Sequence, residues 1–308
     1  MTVDMGQERN QLKVVLTIFC LPHEIDDLEY VVLQLKKGSL YLSKQVTWHF
    51  EITVCTSSTM VDWKKSSIPK SYFFDKLSRL YQLTDWCSRY FQTSDSILGS
   101  LSQKVFSLNR NPDADYYLWL DSDIVFDEKT LSIIESAIIS LHGKHRYFFM
   151  TPEIVKIWDK TWDCLVNEKF INKPYGYQAN NDPYIDCGVK GKISVEPVIN
   201  SIPKQPRFKF GSGFFACLSR DLLSRIGLPK SFGQYGLEDT FIMWASEKLV
   251  KERDLDITQF KIKNLVVCEN YKYRNYKQYE NHLTMINRKD EFKQISEKNF
   301  SEELKIIQ

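Results

Sequence analysis

Leu12 to Phe19 (LKVVLTIF) is a near-continuous run of apolar, largely β-branched residues, the pattern of a strand buried on both faces. Strands of that kind belong to parallel sheets, where helical crossovers cover both sides. The segments that follow repeat the pattern at helix-sized intervals. A mixed amphipathic stretch runs from Ile25 to Leu35 after Leu21-Pro22, and Phe50 to Cys55 (FEITVC) is a second strand closed by the polar cluster Thr56 to Thr59. Helical spacing covers Phe74 to Phe91 and Ile97 to Leu108, and Asn111-Pro112 leads into a strand over Tyr117 to Leu120. Glu128 to Leu141 reads as a helix and Tyr147 to Thr151 as a further strand. This alternation predicts the α/β class: a Rossmann-like, mostly parallel sheet with helices on both faces. Ligands of such sheets bind at the carboxyl ends of the strands.

One strand end is chemically unusual. In Tyr116 to Phe126 (YYLWLDSDIVF) an apolar run is broken by Asp121 and Asp123. On an extended chain these two side chains share a face while Ser122 takes the other. Two carboxylates side by side repel each other and resist desolvation unless a cation lies between them. Mg²⁺ and Mn²⁺ suit such oxygen pairs and often complete their shells with substrate phosphates. The structural alternative is an Asx-type turn, in which the aspartates cap local backbone.

The second half is less periodic. Trp158 to Pro206 reads as long loops with short strands, and Phe208 to Ser219 alternates around the break Gly211-Ser212-Gly213, which permits close backbone approach to a ligand. Arg220 to Ile226 is a short helix that stops at Gly227, with Pro229 beyond. The glycine-rich segment Ser231 to Thr240 (SFGQYGLEDT) delivers Glu238 and Asp239 onto a helix through Phe241 to Lys251. Acidic residues in a first turn also complement the helix dipole, which is the plain explanation of this pair. The stretch from Lys289 to Gln308 is charged and expected to be peripheral.

Composition narrows the function classes. A net charge of +2 over 308 residues, with 43% apolar and 26% charged side chains, marks an ordinary globular protein and by itself points to neither nucleic acid nor membrane. Met1 to Gln11 is polar, and the longest apolar stretches are too short to span a bilayer. The expectation is a cytoplasmic protein without a transmembrane segment. The seven cysteines include no C-x-x-C pair, which argues against a zinc ribbon or a disulfide framework and leaves them as small buried hydrophobes.

The order Asp121-Ser122-Asp123, then Glu238-Asp239, then His282 in Asn281-His282-Leu283-Thr284, carried on a parallel sheet, resembles the GT-A fold glycosyltransferases, in particular family 2-like inverting members. The resemblance runs from about Lys13 to about Arg288. It implies a GT-A-type catalytic domain over 12–288, with a nucleotide-sugar-binding half (12–126) and an acceptor-side half (127–288), between a flexible start (1–11) and a charged tail (289–308). It also implies that Asp121 and Asp123 match the DxD motif, the latter binding Mn²⁺ or Mg²⁺ and the former reaching the ribose or donor sugar. In the same way Asp239 becomes the general base, Glu238 its acceptor-side neighbour, and His282 a further metal ligand. Gly211, Ser212 and Gly213 would lie under the donor sugar, and Leu21-Pro22 would begin the nucleotide-binding backbone. The sequence departs from the family where an aspartate holds the base: Thr56-Ser57-Ser58 stands there, and Asp62 comes several residues later.

Sugar transfer needs these residue types. A departing diphosphate needs a metal where no P-loop lysine motif exists, and the attacking hydroxyl needs a base within reach. The donor implied is a nucleoside-diphosphate sugar, UDP-sugar being favoured, and the acceptor a saccharide or other hydroxyl compound. Two other classes use the same residues. A nucleotidyltransferase or phosphohydrolase would hold its metal with Asp121 and Asp123. A non-catalytic scaffold would bind saccharide or nucleic acid, because Lys272, Arg274 and Lys277 interleave with Tyr271, Tyr273, Tyr276 and Tyr279. That pattern also keeps open a nucleic-acid acceptor, such as a modified DNA base, beside the reading of the segment as a loop that closes over the donor.

Overall fold

The structure, a computed structural model, describes residues 11–60, 63, 69–86, 89–155, 187–198, 208, 213, 215–269 and 289–307. Strand β1 (Leu12–Cys20) pairs in parallel with β2 (Val46–Cys55) on one side and β4 (Tyr116–Leu120) on the other, and β2 pairs in parallel with β3 (Arg89–Ser94). Helices α1 (Ile25–Ser39), α2 (Lys70–Leu83) and α3 (Ser100–Arg110) connect them. Beyond β4 lies β8 (Phe215–Ser219), antiparallel to it, then β6 (Tyr147–Val155) and β9 (Ile257–Glu269), parallel to each other. Short β5 (Ile124–Val125) and β7 (Gly188–Pro197) both run antiparallel to β9. Strands β1, β2, β3, β4, β6 and β9 therefore point one way and β5, β7 and β8 the other, so the sheet is mostly parallel. The remaining described helices are α4 (Thr130–Leu141), α5 (Arg220–Ile226), α6 (Glu238–Arg253) and α7 (Lys289–Ile306). No described helix is long and apolar enough to cross a membrane.

Alternation along the strands builds two cores. Val14, Leu16 and Ile18 of β1 face one side, where Leu28, Val31 and Leu35 of α1, Phe73 and Leu80 of α2, and Ile134 and Ile138 of α4 cover them. Val15 faces the other side with Tyr117 and Trp119 of β4, against Leu101 of α3, Leu222 of α5 and Phe241 of α6. Two-sided burial is why β1 reads as an unbroken apolar run. The chain steps outward from β1 to β2 and β3, then returns to place β4 on the other side of β1. Between β1 and β4 the winding reverses, and in sheets of this kind the crevice that takes a ligand lies at such a point, at the carboxyl ends of the strands.

Two expectations are corrected, and one strand has no counterpart among them. The helical spacing of 74–91 does not persist: α2 stops at Leu83, and residues 89–94 are edge strand β3, where Gln92 Nε2 donates to Thr53 Oγ1 at 2.8 Å. Pairing with β2 outweighs a local period that runs on by coincidence. The strand without a counterpart is β9, thirteen residues from Ile257 to Glu269, which holds β5, β6 and β7. The charged segment 289–308 is not peripheral, since α7 buries Phe292 and Ser296 and lays Phe300 against Phe232 and Phe241. The described cysteines are buried as expected, except half-buried Cys187, whose Sγ lies 2.8 Å from that of Cys268.

Candidate active site

The loops after β1 and β4 meet at the crevice. Leu21 opens a short 3₁₀ turn, Pro22 to Glu24, and Glu24 Oε2 accepts the Leu21 N–H at 3.2 Å. The same oxygen accepts the hydroxyl of Ser122 at 2.7 Å, which stitches the two loops together. Proline at the first helical position and glutamate at the third form a helix-start signature; Glu24 could have been found by it.

Strand β4 ends at Leu120, and Ser122 and Asp123 form a turn before β5. Strict strand alternation therefore does not govern Asp121 and Asp123; the turn does. Ser122 points inward to Glu24 and is 2% exposed, Asp123 is 8% exposed, and Asp121 is half-buried. Two carboxylates thus lie together at the end of β4, one of them buried and the other half-buried.

The second group of carboxylates arrives from the far end of the chain. Gly236 at φ 127° and Leu237 at φ 36° turn the backbone sharply into α6, so Glu238 and Asp239 occupy its first turn as expected. A side chain at Gly236 would drive its Cβ to 2.5 Å from Ser296 Oγ of α7, which favours glycine there beyond its dihedral freedom. Asp239 Oδ2 accepts the Gly213 N–H at 3.0 Å and Oδ1 accepts the Thr240 N–H at 2.6 Å. A Cβ at Gly213 would meet Asp239 Oδ2 at 3.0 Å, so this glycine permits the approach. Gly211, Ser212, His282 and the segment Tyr271 to Tyr279 lie outside the described residues.

Between the two groups sits a residue that the sequence did not flag, Lys104 of α3. Its side chain is 5% exposed and its Nζ lies 2.5 Å from Glu238 Oε1. Burial alone would lower its pKa, but Glu238, Asp121 and Asp239 outweigh that and hold it above the usual lysine value. Asp239 moves the other way from an ordinary aspartate: burial and then Glu238 raise its pKa, against the opposing pull of Lys104 and of the Thr240 and Gly213 amides. Among the described residues no three His, Cys, Asp or Glu side chains form a metal cluster. The donors at the crevice are two hard carboxylates, a set that fits an ion taking the rest of its shell from phosphates and water.

No protein-family model matches the chain, and no curated protein matches it. Among solved structures the chain is similar to S. aureus TarS 1–349, with 11% identity over 89% of this chain and 64% of that one and a TM-score of 0.47; TarS has also been solved with UDP and with UDP-GlcNAc. It is similar to the mannosyltransferase PcManGT from Pyrobaculum calidifontis in complex with GDP-Man and Mn²⁺, at 11% identity over 92% and 65% of the two chains, with a TM-score of 0.46. The inositol-1-phosphate CTP transferase from T. maritima is matched at 11% identity over 90% and 96% of the chains, with a TM-score of 0.42. The chain spans under two thirds of the length of the first two. At this level of likeness no residue acquires a role by correspondence.

Proposed function

We propose that the protein is a glycosyltransferase that moves a sugar from a nucleoside-diphosphate sugar, UDP-sugar being favoured, to the hydroxyl of a saccharide or other acceptor, with inversion. The observation that carries this reading is the convergence on Lys104 of acidic groups far apart in sequence, Asp121 at the strand end and Glu238 with Asp239 at the start of α6. The switch-point crevice between β1 and β4 offers the donor a place along Leu21 and Pro22, with Gly211, Ser212 and Gly213 as the small-residue floor under the sugar. Asp121 and Asp123 would hold Mn²⁺ or Mg²⁺, with His282 as a further ligand. When bound, such an ion offsets the charge that grows on the departing diphosphate.

Asp239 acts as the general base. The acceptor oxygen bonds to the anomeric carbon, the bond from that carbon to the diphosphate breaks, and the diphosphate leaves with the electron pair. The acceptor proton passes to the Asp239 carboxylate, while Glu238 positions the acceptor. A carboxylate with a raised pKa suits that task, because proton transfer is favoured as the base approaches the working pH. The deciding experiment incubates the protein with a panel of nucleotide-sugars and acceptors, with Mn²⁺ or with chelator. Metal-dependent release of nucleoside diphosphate and an inverted product anomer by NMR are expected. Release of pyrophosphate or nucleoside monophosphate instead would replace this reading with nucleotidyl transfer or phosphate hydrolysis.

A further inference from the structure

Helix α3 carries a lysine on its buried side. Lysine is almost never fully buried unless paired, and a buried ion pair is often no more stabilising than apolar residues of the same volume. Stability alone is therefore a weak reason for Lys104, and its partners supply a better one. Its ammonium, with three donors to place, donates to Glu238 Oε1 at 2.5 Å and to the Gly213 carbonyl at 3.2 Å. It also lies 4.7 Å from the centroid of the Trp119 ring, whose face attracts a cation. The N–H of the same glycine, in the preceding peptide group, donates to Asp239 Oδ2. One ammonium thus fixes both members of the acidic pair, Glu238 directly and Asp239 through the Gly213 backbone.

The start of the same helix is fastened to the same loop a second time. Gln234 accepts the Leu98 N–H on its side chain at 3.0 Å and the Ser102 N–H on its carbonyl at 3.2 Å. A Cβ at Gly99 would stand 2.2 Å from the Gln234 carbonyl oxygen, so the two segments touch backbone to backbone. The start of α3 and residues 234–239 form one unit, held at Gln234 and again at Lys104.

We propose that Lys104 is a positioning residue for the transfer reaction: it locks Glu238 and Gly213, and through them Asp239, against the end of β4 where the donor-side aspartates lie. The proposal rests on the glycosyltransfer reading. The protein gains a fixed base at the cost of burying a charge, and misplacing a reacting group by about 1 Å is worth on the order of 100-fold in rate.

The test is a cycle of Lys104→Met, Glu238→Gln and the double variant in the full chain, with Lys104→Arg as the charge-retaining control, measured with the most active nucleotide-sugar. Lys104→Met is expected to lower kcat by about 10- to 100-fold with donor KM little changed, and to lower the Tm because Glu238 is left buried without its ion-pair partner. Lys104→Arg is expected to keep more of kcat than Lys104→Met. The double variant should regain part of the Tm, and its kcat should fall below that of Glu238→Gln by less than the loss seen in Lys104→Met alone, since the lysine acts through that carboxylate and also through the Gly213 carbonyl. Wild-type kcat in Lys104→Met, a loss confined to KM, or single losses that simply multiply in the double variant would overturn the proposal alone. A wild-type protein that turns over no nucleotide-sugar would overturn the underlying reading and this proposal with it.

Discussion

Burial and the nearby Glu238 carboxylate raise the pKa of Asp239 above that of an ordinary aspartate. Because the folded-state value exceeds the unfolded one, about 3.9, the contribution of Asp239 to stability is fully present below that pH and is lost as pH rises through the raised value. Asn at this position has no proton to lose. The Tm of Asp239→Asn relative to wild type is therefore expected to improve from about pH 4 to about pH 8; a difference that stays flat or falls would show that the aspartate is not destabilised by its setting. The same variant separates catalysis from binding: transfer should fall at least about 100-fold with donor affinity unchanged, and near-normal transfer would place the base elsewhere. Asp123→Ala tests the other end of the crevice. It should abolish metal-dependent nucleotide binding, followed by calorimetry, while the Tm stays near wild type, and undiminished binding would remove Asp123 from the ion's shell. At this scale the acidic residues were legible in the sequence because carboxylates at a strand end or next to glycines are conspicuous. Lys104 was not, since a lysine within SLSQKVFSLNR reads as solvent-facing in any helix.

Helix α7 shows how an element late in the chain can set the geometry of the crevice. Ser296 donates its hydroxyl within reach of the Phe232 and Tyr235 carbonyls, at 3.2 and 2.8 Å, and Asn299 Nδ2 donates to the Ser231 carbonyl at 2.8 Å. Phe300 stacks on Phe232 at 6.0 Å between centroids and meets Phe241 edge-on at 5.7 Å. These contacts hold the loop that turns into α6 and so presents Glu238 and Asp239. Phe300 is only partly buried, so Phe300→Ala should cost about 2–3 kcal/mol, less than the roughly 3–5 kcal/mol of a fully buried phenylalanine. Denaturant unfolding measures the loss, and hydrogen exchange should speed up in residues 231–237 more than in β1. Equal protection of the loop in both proteins would mean that α7 merely lies on it. The charged composition of 289–308 hid this helix, because its apolar residues are few and their partners lie some sixty positions away.

In the whole molecule the two ends of the chain share one sheet. Strand β4 has β1 on one edge and β8 on the other, and β5 is paired by β9. A fragment of residues 1–126 would expose the edge of β4 and lose Phe215, Leu218, Leu222 and Phe241 from the cores. It should fail to give a cooperative thermal transition by circular dichroism, whereas the full chain should unfold in one step; a cooperative transition in the fragment would make residues 12–126 a folding unit of their own. The layered α/β class, strand β1, the span of α5 and the glycine-rich entry to α6 followed from the sequence alone, because periodicity, β-branching and glycine dihedrals act over a few residues. The place of β3 at the sheet edge, the central position of β8, the turn at Asp121 to Asp123, the docking of α7 and the pairing of Lys104 with Glu238, 134 residues apart, were decided only by the tertiary structure. Each depends on which distant backbone or charge arrives alongside, and burial, register and ion pairing are properties of that meeting and of no local pattern.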